Sequence, residues 1–127
     1  MTQPDTEQPL FLPETNDRVF CCRVLEKMQT GRYERAGAAM RDMVKARGEI
    51  RMVIDYQNFD GWEDDETKID MGLSVELGPY LTKIALVNPP PIIIAQMKMK
   101  SLVMPRITIR YFENGEYDLA VKWANED

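Results

Sequence analysis

The chain has 127 residues, of which 44% are hydrophobic and 29% charged, and its net charge is −5. That length can bury one core, the acidity argues against general nucleic-acid binding, and no apolar run reaches the roughly 20 residues of a membrane-spanning helix. Histidine is absent, which removes the usual general base and the usual catalytic triad.

Residues 1–7 are polar and acidic with Pro4 among them, and they read as a disordered tail without the apolar segment of a signal peptide. A cytoplasmic address is the expectation. Residues 8–127 read as one domain. A short strand is expected near Gln8–Leu12, ended by Pro13. The cluster Glu14-Thr15-Asn16-Asp17 is a turn signal. Arg18 to Met28, rich in Val, Phe, Cys and Leu, reads as a strand that pairs with the first as an antiparallel hairpin. Cys21 and Cys22 are neighbours, so in a strand they point to opposite faces and do not bond each other. Two small buried hydrophobes is the favoured reading.

Tyr33, Ala36, Gly37, Met40, Met43 and Val44 recur at helical spacing. They predict a first helix over about 31–47, with Gly48 at its C-terminal end. Ile50 to Tyr56 is a continuous apolar run, as expected for a buried parallel strand. Asp60 with Glu63, and the acids through Glu66, suit the N-terminus of a second helix that buries Ile69, Leu73 and Leu77 and ends at Gly78-Pro79. Leu81–Val87 reads as another buried strand. Three prolines then lead to a third helix over about 92–103, stopped by Met104-Pro105. Arg106 to Phe112 alternates as a strand, with Ile107, Ile109 and Tyr111 on one face. Asn114 is the expected cap of a last helix over about 115–124. The order is ββαβαβαβα: an α/β fold whose single mixed, mainly parallel sheet carries an N-terminal antiparallel hairpin.

The short motifs of this chain resemble the SpoIIAA-like family, bacterial relatives of STAS domains that are also similar to the CRAL-TRIO lipid-transfer fold. They are Thr30-Gly31-Arg32-Tyr33, Ile50 to Asp55 followed by Phe59-Asp60-Gly61-Trp62, Lys83 to Val87, and Met104-Pro105. The resemblance covers roughly residues 8–125. It implies a fold together with apolar-ligand binding or membrane association, and no established activity. Anti-sigma-factor antagonists carry a phosphorylatable serine at the start of the helix after the central strand. Here that region reads Asp60-Gly61-Trp62-Glu63-Asp64-Asp65, and the only serines are Ser74 and Ser101. A serine phosphoswitch at that site is therefore not expected.

Asp55, Asp60, Asp64 and Asp65 gather at the C-terminal end of the expected sheet, where open α/β sheets bind ligands. They could hold a hard cation, but helix capping and dipole complementation account for them better, and no cofactor or metal is expected. Trp62, at a loop–helix junction, either lines a pocket mouth or anchors the second helix.

The third helix is the candidate surface. At about 100° per residue, Ile92, Ala95, Met99, Leu102 and Val103 share one arc, which reads as the face toward the sheet. Ile93 and Met97 form a second stripe, with Ile94 and Met104 beside it and Lys98 and Lys100 on its border. Three explanations of that second stripe stay open. It packs on Met71 and Val75 of the second helix, it lines an apolar pocket with Met97, Met99 and Met104, or it meets a membrane or partner with the lysines facing anionic headgroups. Between Glu76 and Glu113 there is no acid, and that span carries +5 against −10 for the remainder. The expected function is a non-enzymatic module that binds an apolar, lipid-like ligand or the inner membrane surface. A STAS-like protein-interaction domain is the alternative, and a homodimer stays open.

Overall fold

A computed structural model describes residues 12–25, 30–57 and 76–126. Four strands, β1 (Phe20–Leu25), β2 (Ile50–Gln57), β3 (Leu81–Val87) and β4 (Thr108–Phe112), form one sheet in the order β1-β2-β3-β4. All three pairings are parallel. The described helices are α1 (Thr30–Arg47), α2 (Pro91–Lys100) and α3 (Tyr117–Asn125). Short 3-10 turns occupy Gly78–Tyr80 and Ser101–Val103.

The expected antiparallel hairpin is not found among the described strands. Residues 8–11 of its first strand lie outside the described residues. Leu12 is there, with its amide donating to the Cys21 carbonyl. The turn cluster behaves as read: the Asn16 carboxamide oxygen accepts from the amides of Arg18 and Val19, and the Thr15 hydroxyl bridges the Cys21 amide and carbonyl. The expected second helix also lies outside the described residues, apart from Glu76 and Leu77 at its end.

Strand alternation builds two cores. Phe20, Cys22, Met52, Tyr56, Ile84 and Leu86 point to one face, where they pack with Ala36 and Met40 of α1 and Ile93 and Met97 of α2. Val19, Cys21, Val53, Ala85, Val87 and Phe112 point to the other, beneath Ala120 and Ala124 of α3. The two cysteines thus divide between faces. Consecutive parallel strands joined by right-handed crossovers keep their helices on one side, so α1 and α2 share a face and α3, with no following strand in the sheet, takes the other.

α1 ends as expected: Gly48 adopts φ 74 and its amide donates to the Val44 carbonyl. α3 begins two residues later than the sequence pattern placed it. Asn114 is not its cap. Gly115, at φ 93, makes a turn first, and the Glu116 carboxylate accepts from the Glu113 amide at 2.7 Å.

α3 is held at its C-terminus by two cations from the sheet. Arg51 Nη1 donates to the carbonyls of Ala124 (3.1 Å) and Glu126 (2.9 Å). Lys83 Nζ donates to those of Trp123 (2.9 Å) and Glu126 (2.6 Å) and lies 4.8 Å from the Trp123 ring centroid. The last turn of a helix leaves carbonyls without intrahelical partners, and positive charge complements the dipole there. Arg51→Met leaves these carbonyls buried without that donor, so it is expected to lower stability by about 2–3 kcal/mol in urea titration. Amide exchange is expected to quicken selectively in residues 120–125.

Candidate functional site

The candidate site is α2, and its placement starts at the end of β3. Asn88 has φ 55, a left-handed conformation that asparagine tolerates better than most residues. Its amide donates to the Phe112 carbonyl at 2.8 Å, and its side-chain Nδ2 donates to the Tyr56 carbonyl at 3.1 Å. One residue thereby ties the C-terminal ends of β2, β3 and β4. Pro89 to Pro91 follow, with Pro90 extended at φ −70, ψ 158 and Pro91 in the first turn. Fixed proline φ angles leave α2 little freedom in how it departs from the sheet. The Pro90 carbonyl then accepts from the amides of Ile93 (2.9 Å) and Ile94 (3.3 Å).

This departure sets the roll of the helix, and the roll is opposite to the one the angular pattern was read to give. Ile93 and Met97 are 3% and 6% exposed and belong to the core with Met104. Ile92, Met99 and Leu102, assigned from sequence to the core face, are 59%, 71% and 85% exposed. Ala95 is exposed on the same side. The physical reason is that α2 is apolar on two opposite arcs. Periodicity identifies both arcs but does not say which one meets the sheet.

The remaining candidates divide. Ile94 and Lys100 are half-buried, and Lys98 is exposed. Trp62 lies outside the described residues, as do Met71 and Val75 and the proposed ligand pocket beside them. The ridge of Ile92, Ala95, Met99 and Leu102 follows the i, i+3, i+7, i+10 spacing of a single helical stripe, and Lys98 borders it. α2 passes directly into the Ser101–Val103 turn, where the Ser101 hydroxyl donates to the Lys98 carbonyl at 2.8 Å. Leu102 is thus presented on a continued helical path.

The C-terminal end of the sheet offers less. Asp60, Asp64 and Asp65 lie outside the described residues. Asp55 is buried and accepts from Arg23 Nε at 2.9 Å. The Arg23 guanidinium stacks 5.9 Å from the Tyr117 ring centroid, and the Tyr117 hydroxyl donates to Glu14 at 2.7 Å. Burial first, then that hydrogen bond, raises the Tyr117 pKa. Burial likewise pushes the Cys21 thiol up to about 11, so it is a protonated core group rather than a nucleophile. These contacts close a structural network over β1, β2 and α3. The strand order does not reverse among the described strands, so the crevice that a topological switch point creates is missing from them. Among the described residues no three metal-ligating side chains cluster.

Sequence reasoning overlooked Arg51 and the pairing of Arg23 with Asp55. The signal was available: a charged residue inside the otherwise apolar Ile50–Ile54 run needs a buried partner.

Opposite substitutions test the roll. Met97→Asp puts a carboxylate into the core and is expected to cost at least about 3 kcal/mol in urea denaturation, whereas Leu102→Asp is expected to stay within about 0.5 kcal/mol of the parent. Equal losses would contradict the roll.

Comparison with known proteins agrees with this architecture. The SpoIIAA-like family model matches residues 19–125. A crystal structure of an uncharacterized protein of the DUF3478 family from Shewanella loihica PV-4, with a SpoIIAA-like fold, superposes with a TM-score of 0.54 at 15% identity. The alignment covers 84% of this chain and 81% of that one. No curated protein matches.

Proposed function

The chain belongs to the SpoIIAA-like family, whose fold points to a regulatory or binding domain, and we propose that it is a non-enzymatic module that docks on an anionic membrane surface through α2. The observation that carries this reading is the outward ridge of Ile92, Met99 and Leu102 beside Lys98. The inserting side chains are therefore Ile92, Met99 and Leu102, in place of Ile93 and Met97, which the core uses.

Three features support a bilayer as the partner. The ridge is a single exposed apolar stripe with a lysine at its border, as on helices that lie in a membrane interface. Each large apolar side chain contributes roughly 1.5–3 kcal/mol on full burial, and each lysine or arginine near an anionic leaflet adds about 1 kcal/mol. The acid-free segment from Leu77 to Phe112 places no carboxylate on α2 to repel headgroups. A second copy is a poorer partner: two-fold antiparallel pairing of the ridge centres near residue 97 and brings the two Lys98 ammonium groups together with no acid on either helix. Among the described residues no helix is long and apolar enough to cross a membrane, so the docking is peripheral.

Vesicle co-sedimentation tests the reading. The protein is expected to bind vesicles containing about one-third phosphatidylserine and to leave neutral phosphatidylcholine vesicles unbound. Met99→Asp with Leu102→Asp is expected to weaken binding more than ten-fold with little change in folding. Absence of binding to the anionic vesicles would overturn it.

A further inference from the structure

The parallel topology sends α1 and α2 back to the N-terminal edge of the sheet before β2 and β4 begin. That edge therefore collects the ends of both helices. α1 closes there with Lys45 and Arg47 in its last turn, both exposed. The turn before β3 places Tyr80 there, also exposed. α2 delivers Lys100 and Leu102, and Arg106 follows in the turn before β4.

The acids on this edge are largely engaged. Asp17 lies 3.6 Å from Arg47. Glu49 accepts from the Thr82 hydroxyl at 2.7 Å and lies 3.4 Å from Arg51. Its carboxyl is held below the usual range by the hydrogen bond from Thr82 first, with the charges of Arg51 and Arg106 adding to it. Thr82 is itself displaced by the register shift between β2 and β3, where Ile50 pairs Leu81 but Arg51 pairs Lys83. Glu126 lies on the α3 side of the edge, where Arg51 and Lys83 hold its main-chain carbonyl while its side chain is exposed. The opposite edge has the reverse sign: Glu113, Glu116 and Asp118 follow the end of β4, and Glu14 meets Tyr117. Among these described residues, charge is polarised along the strands.

We infer that the N-terminal edge of the sheet is a second part of the docking surface, with Lys45, Tyr80 and Arg106 joining Met99 and Leu102 against an anionic lipid surface, so that the domain tilts with that edge toward the bilayer and Ile92, at the other end of α2, inserts least. This rests on the membrane reading of α2 and adds an orientation to it. The field of the acidic edge then points away from the headgroups, which steers approach as well as binding. Tyr80 sits at the level where aromatic rings favour a membrane–water interface.

Charge reversal at the two edges tests the orientation. In co-sedimentation with vesicles of one-third phosphatidylserine, Lys45→Glu with Arg106→Glu is expected to lower the partition coefficient roughly ten- to hundred-fold. The opposite-edge variant Glu113→Lys with Asp118→Lys is expected to bind as the parent does or only slightly better, and urea midpoints of both variants check that they fold. If the folded Lys45→Glu/Arg106→Glu variant binds like the parent while Met99→Asp/Leu102→Asp does not, α2 alone docks and the edge inference falls. If the parent itself does not bind, the membrane reading falls first and the orientation with it.

Discussion

The bonds made by Asn88 are the constraint on which the exposed face of α2 depends. A left-handed residue at the end of β3 turns its amide to β4 and its carboxamide to β2, so the loop that launches α2 is tied to three strand ends at once. The prolines that follow remove most remaining backbone freedom. A helix apolar on two opposite arcs could satisfy the core with either. The launch geometry selects Ile93 and Met97 for the inside and leaves Ile92, Met99 and Leu102 outside. The same constraint that completes the core creates the exposed ridge.

The rest of the architecture supports this division of labour. Among the described strand residues the face beneath α1 and α2 carries no charge, whereas the face beneath α3 admits Arg23, Arg51, Asp55 and Lys83. These charges find partners because α3 brings its own carbonyl groups and Tyr117 to meet them. A buried arginine with an uncompensated charge would be strongly destabilising. Here the open end of α3 supplies the acceptors, so each element answers the other's unsatisfied groups. That leaves exposed charge and apolar area on the α2 side and at the N-terminal edge.

Much of the fold was legible in the sequence. The continuous apolar runs at Ile50–Tyr56 and Leu81–Val87 announced buried parallel strands, and Gly48 marked the end of α1. The N-terminal hairpin is not found among the described strands, which all pair in parallel, and residues 8–11 of its first strand lie outside the described residues. Asn114-Gly115 looked like a cap followed by a helix, but glycine at positive φ extended the turn and Glu116 took the capping position. For the candidate site, composition and spacing singled out α2 and its two apolar arcs. They could not supply its roll, which is decided by a hydrogen-bonded loop and by packing between segments distant in sequence.

On the membrane reading, the outward arc of α2 enters the interface of an anionic bilayer while α3, on the opposite face of the sheet, stays in water. A nitroxide attached at Leu102→Cys, read by power-saturation electron paramagnetic resonance, measures this directly, with Leu119→Cys on the exposed side of α3 as the reference. Adding anionic vesicles is predicted to raise oxygen accessibility and lower water-soluble nickel accessibility at position 102, leaving position 119 unchanged. A label at 102 that remains as accessible to nickel as the one at 119 would contradict the account.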